Sequence, residues 1–306
     1  MRTLLRYGGL MAAATLTTGL LTAGTATAEQ SGTTAPCRIS VGSVTAGGDH
    51  RMQTFSATAP VTKVSDKIVA KDVYPDGQAK MSAAVRYGPS GSSELHTSQV
   101  VVGSVLYDHS YRTPVGGGTV SQNVLARVGP GWDGYKTLDR STVGSRTVEW
   151  SMRKDGYELD RRTLRTDANG RIYRHHDGWV SNFRGVKGMA LISQTATYDT
   201  FLMTHTTGRL YTARLARVSG HIIPSVVKPI RMSTWQVFET LVAAPCGQGT
   251  IVLAIDRDTG NGYLYSVGHA NGLSTVVKGL GKAPGTFTDP VYFQWTKFTD
   301  PLLAGD

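Results

Sequence analysis

Apolar runs alternate with short polar breaks along most of this chain, most plainly between residues 198 and 241. Phe201-Leu202-Met203-Thr204-His205 is β-prone, Thr206-Thr207-Gly208 interrupts it, and Arg209-Leu210-Tyr211-Thr212-Ala213 starts at once. Two β-rich runs separated by a few residues that include Gly predict a hairpin. Ser219-Gly220 then turns the chain into Ile222-Ile223, where Pro224 restricts the strand to an edge or a start. Trp235 and Phe238 open the next apolar run, so the stretch reads as a meander ending on an aromatic anchor. Comparable runs occupy 38–44, 67–73, 81–87, 100–107, 121–128, 148–152, 157–164 and 171–174. Turn chemistry separates them at Gly47-Gly48-Asp49, Pro75-Asp76-Gly77, Pro89-Ser90-Gly91, Gly116-Gly117-Gly118, Asp155-Gly156 and Asn169-Gly170. No segment carries a convincing helical period, and the pattern predicts an all-β fold.

Two phrases recur. Trp132 is followed by Tyr135, Trp179 by Phe183, Trp235 by Phe238 and Trp295 by Phe298, the Trp residues lying 47, 56 and 60 positions apart. Trp150 has no such partner. Interleaved with these is Gly-x-(Ile/Leu)-Tyr, at Gly170 to Tyr173, Gly208 to Tyr211 and Gly262 to Tyr265. Each copy follows a turn signal, so Gly supplies a tight hairpin and the Tyr sits a fixed step into the next strand. Repeats of about 40 to 60 residues built from short strands point to a β-propeller or β array. The chain ends soon after a Trp anchor, so the remainder of that blade is expected from near the N-terminus, which closes the ring and removes sheet edges.

The elements Gly131-Trp132-Asp133-Gly134-Tyr135, Asp177-Gly178-Trp179 to Phe183, and the Gly-x-Leu-Tyr phrases resemble the repeats of tachylectin-type β-propeller lectins and related secreted actinobacterial propellers. The resemblance spans roughly residues 99–306 and implies a propeller of about five blades with a carbohydrate-binding role. The repeats are uneven in length, and residues 37–95 lack the pattern.

The start of the chain has a different character. Residues 1–28 read as a secretory signal peptide: Arg2 and Arg6, an apolar small-residue stretch, then Ala26-Thr27-Ala28 before Glu29. No later stretch is long and apolar enough to span a bilayer. The expectation is an exported, extracellular protein without membrane insertion. Its domains would be the signal peptide (1–28), an N-terminal β segment (29–98) that is either a degenerate blade or a small β domain, and the propeller repeats (99–306). Cys37 and Cys246 are the only cysteines, so a single pairing exists, and an exported chain favours it as a disulfide. Net charge is +10, and it remains positive without Arg2 and Arg6. This favours anionic partners such as acidic glycans or other extracellular polymers.

Candidate chemistry is sparse. The aromatic residues Trp132, Tyr135, Tyr173, Trp179, Tyr211, Trp235, Tyr265 and Trp295 suit stacking on pyranose faces, with wedging between blades as the simpler alternative. Arg161, Thr163 and Arg165 would share one strand face as a basic patch or a solvated rim. His175-His176-Asp177 carries metal-ligand types, but strand neighbours point apart, so no metal is expected there. Asp256 to Gly262 opens like a calcium loop, yet Val267 stands where the bidentate Glu belongs, leaving a plain hairpin turn. No nucleophile elbow, zinc helix or phosphate loop occurs, and no cofactor is implied. The leading expectation is a non-enzymatic, lectin-like carbohydrate-binding protein. The alternatives are an adaptor for protein partners and a polysaccharide hydrolase, the last requiring carboxylates that converge in a central pocket.

Overall fold

The computed structural model describes residues 36–306. The signal peptide read at 1–28, and the arm up to residue 35, lie outside the described residues. Strands β1 (Arg38–Val44), β2 (His50–Ser56) and β3 (Thr62–Ala70) pair antiparallel in sequence. Next, β4 (Ala79–Ser82) and β5 (Val85–Ser90) both pair with β6 (Ser93–Val102), which continues to β7 (Val105–Pro114) and β8 (Ser121–Gly129). After a short 3-10 turn at Trp132–Gly134 come three four-stranded meanders. They are β9 (Tyr135–Val143) with β10 (Arg146–Arg153), β11 (Glu158–Thr166) and β12 (Ile172–Ser181); β13 (Val186–Gln194) with β14 (Tyr198–His205), β15 (Leu210–Ala216) and β16 (Ser225–Arg231); and β17 (Thr240–Cys246) with β18 (Gly249–Asp256), β19 (Asn261–Val267) and β20 (Val277–Lys282).

The last strand, β21 (Val291–Lys297), pairs antiparallel with β1, from Val41 opposite Gln294 to Val44 opposite Val291. The chain's end thus completes the blade its first strands began, as the position of the last Trp anchor predicts. A short parallel contact of β21 with β5 joins two blades into one continuous sheet. Divided there, the strands form five blades arranged as a propeller, and five apolar clusters fill the seams between them. Val291, Phe293 and Trp295 meet Val85, Val100 and Tyr111 at one seam, and Met81 and Leu106 meet Trp132 and Leu138 at the next. Trp150 and Leu159 meet Phe201 and Met203. Leu202 and Leu210 meet Trp235 and Val252. Val242, Ile251 and Leu264 meet Ile39 and Phe55.

This packing explains the sequence pattern. A blade is buried on both faces, so its middle strands read as near-continuous apolar runs rather than strict alternation. In β14 every residue from Asp199 to Thr204 is buried. The outermost strands face solvent, and β8 and β16 are largely exposed. The same effect conceals a turn. Residues 100–107 read as one strand, but Gly103-Ser104 folds them into the β6–β7 hairpin, with Gly103 at φ 60°. Both arms are apolar because both are buried, so the hydrophobic pattern runs through the turn. Residues 81–87 likewise divide between β4 and β5. Ile222 makes only an isolated bridge to Trp179, and the strand proper begins at Ser225, immediately after Pro224.

Cys37 and Cys246 form the expected disulfide, with Cα atoms 5.6 Å apart across 209 residues. It ties the entry to β1 to the end of β17 in the neighbouring blade, beside the apolar seam those blades share. No helix among the described residues is long and apolar enough to cross a membrane, and a disulfide is compatible with an extracellular protein.

Candidate functional site

Strands β4, β9, β13, β17 and β21 are the innermost strands of the five blades. Their N-terminal halves line one cavity of about 280 Å³ on the ring's axis. The residues reaching furthest along β9, β13, β17 and β21 are Asp139, Ala190, Ala243 and Gln294. A carboxyl group therefore stands where two sister strands carry alanine.

Asp139 has an unusual environment for a carboxylate. Burial pushes its carboxyl up to about 7, and the nearby Asp199 carboxylate adds to the shift. No hydrogen bond or counter-ion among the described residues offsets either effect. Asp199 cannot share its own partners. It is fully buried on β14, 3.2 Å from the Arg217 guanidinium, and accepts hydrogen bonds from Ser141 Oγ at 2.6 Å and Trp150 Nε1 at 2.9 Å.

The second carboxyl of the cavity is Glu239, one residue before β17. It accepts a hydrogen bond from Lys187 Nζ on β13 and another from the Arg257 backbone N–H at 2.8 Å. Lys187 also donates to the Gln236 carbonyl at 2.6 Å, so the ion pair is tethered to backbone. The rim carries further cations, Lys80, Lys136 and the Arg257 side chain. The result is one carboxyl kept short of donors and one supplied with them, both lining the same cavity.

The aromatic residues singled out by repetition do not converge. Trp132 packs against Tyr135 at 4.9 Å between ring centres, and Trp235 lies 4.6 Å from Tyr265 and 5.4 Å from Phe238. Trp132, Trp235 and Trp295 fill seams, at 6%, 4% and 4% exposure. Tyr135 donates its hydroxyl to Asp160 at 2.6 Å. Trp179 is half-buried, with His221 3.9 Å away. Tyr173 is exposed on the outer strand β12. Tyr211 joins Phe183, Val227, Pro229 and Met232 in a separate, mostly apolar pocket of about 260 Å³, with Asn182, His205 and Arg209 as its polar groups.

The basic face on β11 is real in geometry but not free. Arg161, Thr163 and Arg165 do share a face, and all three meet the buried Asp177, Arg161 at 3.3 Å and Arg165 at 2.9 Å. Arg161 is itself fully buried, which rules it out of a solvated rim. His175 turns to Asp177 at 3.1 Å and His176 to Asp160 at 3.4 Å, so the adjacent imidazoles diverge as strand neighbours should. The Asp256 turn holds its own backbone, accepting from the N–H groups of Asp258 and Thr259.

Sequence reasoning passed over Asp139 and Glu239. Asp139 is a single acid in an ordinary strand, and Glu239 is a single acid one residue before one. The available signal was positional: once the innermost strands are superimposed, an acid opposite Ala190 and Ala243 is out of keeping with its sisters.

No protein-family model matches the chain, and no curated protein matches it in sequence. Among solved structures, it is similar to a GH43_1 enzyme from Xanthomonas citri complexed with xylotriose, with a TM-score of 0.41 and 11% identity over 65% of this chain and 73% of that one. A second structure of a GH43_1 enzyme from Xanthomonas citri matches with a TM-score of 0.38 and 10% identity, over 66% of this chain and 75% of that one. Kuenenia stuttgartiensis hydrazine synthase matches with a TM-score of 0.33 and 9% identity, over 74% and 75%. Likeness this distant assigns no chemistry.

Proposed function

We propose that this is an extracellular carbohydrate-active protein, a polysaccharide hydrolase whose reaction takes place in the axial cavity. One observation carries the reading: Asp139 offers a carboxyl to that cavity, without a partner among the described residues, and burial raises it to about 7. Near neutral pH such a group retains a proton to give to a leaving glycosidic oxygen. Glu239, held by Lys187 and the Arg257 N–H, is the carboxylate that directs water or attacks the sugar. The cationic rim suits glycans that carry acidic groups. The leader-like residues 1–28 and the disulfide support an extracellular setting.

The test is release of reducing ends from a panel of neutral and acidic polysaccharides. Asp139→Asn is expected to lower kcat by about 100-fold or more. In the unaltered protein, activity should fall as pH rises through about 7, because the acid loses its proton there. Asp139→Asn removes that limb.

The pocket around Tyr211 and Phe183 favours a second reading, a non-enzymatic lectin related to the tachylectin type. It brings together a tyrosine and a partner aromatic from the two repeated phrases, with Asn182 and Arg209 to bind hydroxyls. Glycan binding by a protein that releases no reducing ends from any substrate, and that Asp139→Asn leaves unaltered, would select this reading over hydrolysis.

A further inference from the structure

The far end of the axial channel is a different chemical environment from the first cavity. The C-terminal ends of β9, β13 and β21 form its walls, with the start of β5 and the segment 300–303 closing one side. That segment is stitched down: the Leu303 carbonyl accepts from the Gln194 N–H at 3.0 Å, and the Gly305 N–H donates to the Ile192 carbonyl at 2.9 Å. The cavity is about 60 Å³, roughly the liquid volume of two waters.

Its charge is lopsided. Arg86, Arg140 and Lys297 line it, against Asp300 alone. Asp300 is already engaged, accepting from the Thr296 hydroxyl at 2.8 Å and from the Lys297 N–H at 2.6 Å. Arg86 is anchored to the Phe298 carbonyl at 3.1 Å and lies over the Phe298 ring. Arg140 has no such anchor: among the described residues its guanidinium makes no hydrogen bond and no ion pair. The acids behind it, Glu149 and Asp108, are taken by Arg174, at 2.9 Å and 2.6 Å. Burial acts against the charged form of Arg140; the Glu149 and Asp108 carboxylates favour it from a distance, and the neighbouring Arg174 and Arg86 charges oppose it. A guanidinium with five donors in a fixed fork does not lose its proton; it calls for a planar or tetrahedral oxyanion. Gln194, Gln294 and Thr142 supply neutral polar groups at the same cavity.

We propose that this pocket is an oxyanion-binding site, with Arg140 as the principal ligand and Arg86 and Lys297 as flanking charges, taking phosphate or sulfate either free or as an ester on a polymer. The site is independent of the hydrolytic reading. It lies at the opposite mouth and uses neither Asp139 nor Glu239.

The experiment is calorimetric titration with inorganic phosphate and with sulfate at fixed ionic strength, using chloride as the balancing salt. Saturable binding of one equivalent is expected, weakened about tenfold or more in Arg140→Gln and partly restored in Arg140→Lys. Glucose 6-phosphate against glucose separates the sources: binding of the ester as tightly as free phosphate supports a polymer-borne group, and binding of the free ion alone supports a closed inorganic site. Absence of saturable binding, or equal binding by Arg140→Gln, overturns the proposal. If Arg140→Gln does not fold, the outer variants Arg86→Gln and Lys297→Ala decide, because each should still weaken binding several-fold and unchanged affinity in both would overturn it. Asp139→Asn should bind the anion normally, so the fate of this site and that of the hydrolytic reading are read separately.

Discussion

Three histidines are buried in one seam without a counter-ion among the described residues. His50, His96 and His109 surround Tyr111, with His109 also hydrogen-bonded to Tyr74 at 2.8 Å and His50 to Tyr111 at 2.7 Å. His50 Nε2 and His96 Nδ1 have no hydrogen-bond partner among the described residues. Burial lowers all three: His96 and His109 to about 4, and His50 well below its usual value. The unfolded chain binds protons from about 6.5 downward, whereas the native seam resists them to about 4. Stability is therefore complete above about 6.5 and is lost as pH falls toward 4. His96 and His109 should each cost about 2 kcal/mol by pH 5 relative to pH 7. Denaturant melts at the two pH values measure the loss. His109→Gln should flatten the pH dependence, and an unaltered slope would count against the histidine origin. Neither this cluster nor Asp139 was visible in the chain as written. The three histidines lie 13 to 59 residues apart, and the environment that perturbs each is made by strands from two blades.

At the scale of single strands, what could be read from the chain depended on how local the cause was. The β14–β15 hairpin follows directly from Thr206-Thr207-Gly208, because Gly208 at φ 87° is the residue such a turn requires. Pro224 likewise marks where β16 begins. The closing contact depends instead on a glycine that looks unremarkable in sequence. A Cβ on Gly42 of β1 would stand 2.2 Å from the Phe293 ring and 2.8 Å from Trp295, both packed in the adjoining seam. Gly42→Ala should force those rings aside and cost about 1–3 kcal/mol. Urea unfolding would show it as a lower midpoint with an unchanged slope. A matched Gly77→Ala, where added bulk meets nothing but φ is 64°, separates overpacking from backbone strain. The Trp repeat was legible as a repeat, but its meaning lay in packing. Trp132, Trp235 and Trp295 each fill a seam, and Trp150, outside the repeat, fills another with Phe201.

Across the whole molecule, the β1–β21 ladder and the Cys37–Cys246 bond are two of the long-range links that hold the ring. A cross-link spanning 209 residues removes much freedom from the unfolded chain, and loop-entropy arguments place its contribution near ~5 kcal/mol. Replacing both cysteines with serine should lower the melting temperature under oxidising conditions. The same change should have no effect once the original protein is reduced, and differential scanning calorimetry with and without reductant checks both. The all-β class, the single disulfide and the late completion of the first blade were all legible, since each rests on composition or chain order. The axial cavity was not, because it belongs to five strands drawn from across the chain.

The β1–β21 ladder also bears on how the protein is made. Residue 294 leaves the ribosome some 250 positions after residue 41, its neighbour in the sheet. Throughout that interval the nascent chain presents β1 with its bonding edge open, an invitation to pair with any extended strand nearby. The middle blades can settle as they emerge, but the ring stays ajar until β21 has emerged. Premature termination anywhere before β21 therefore yields something worse than a shortened protein: a template for association with other chains.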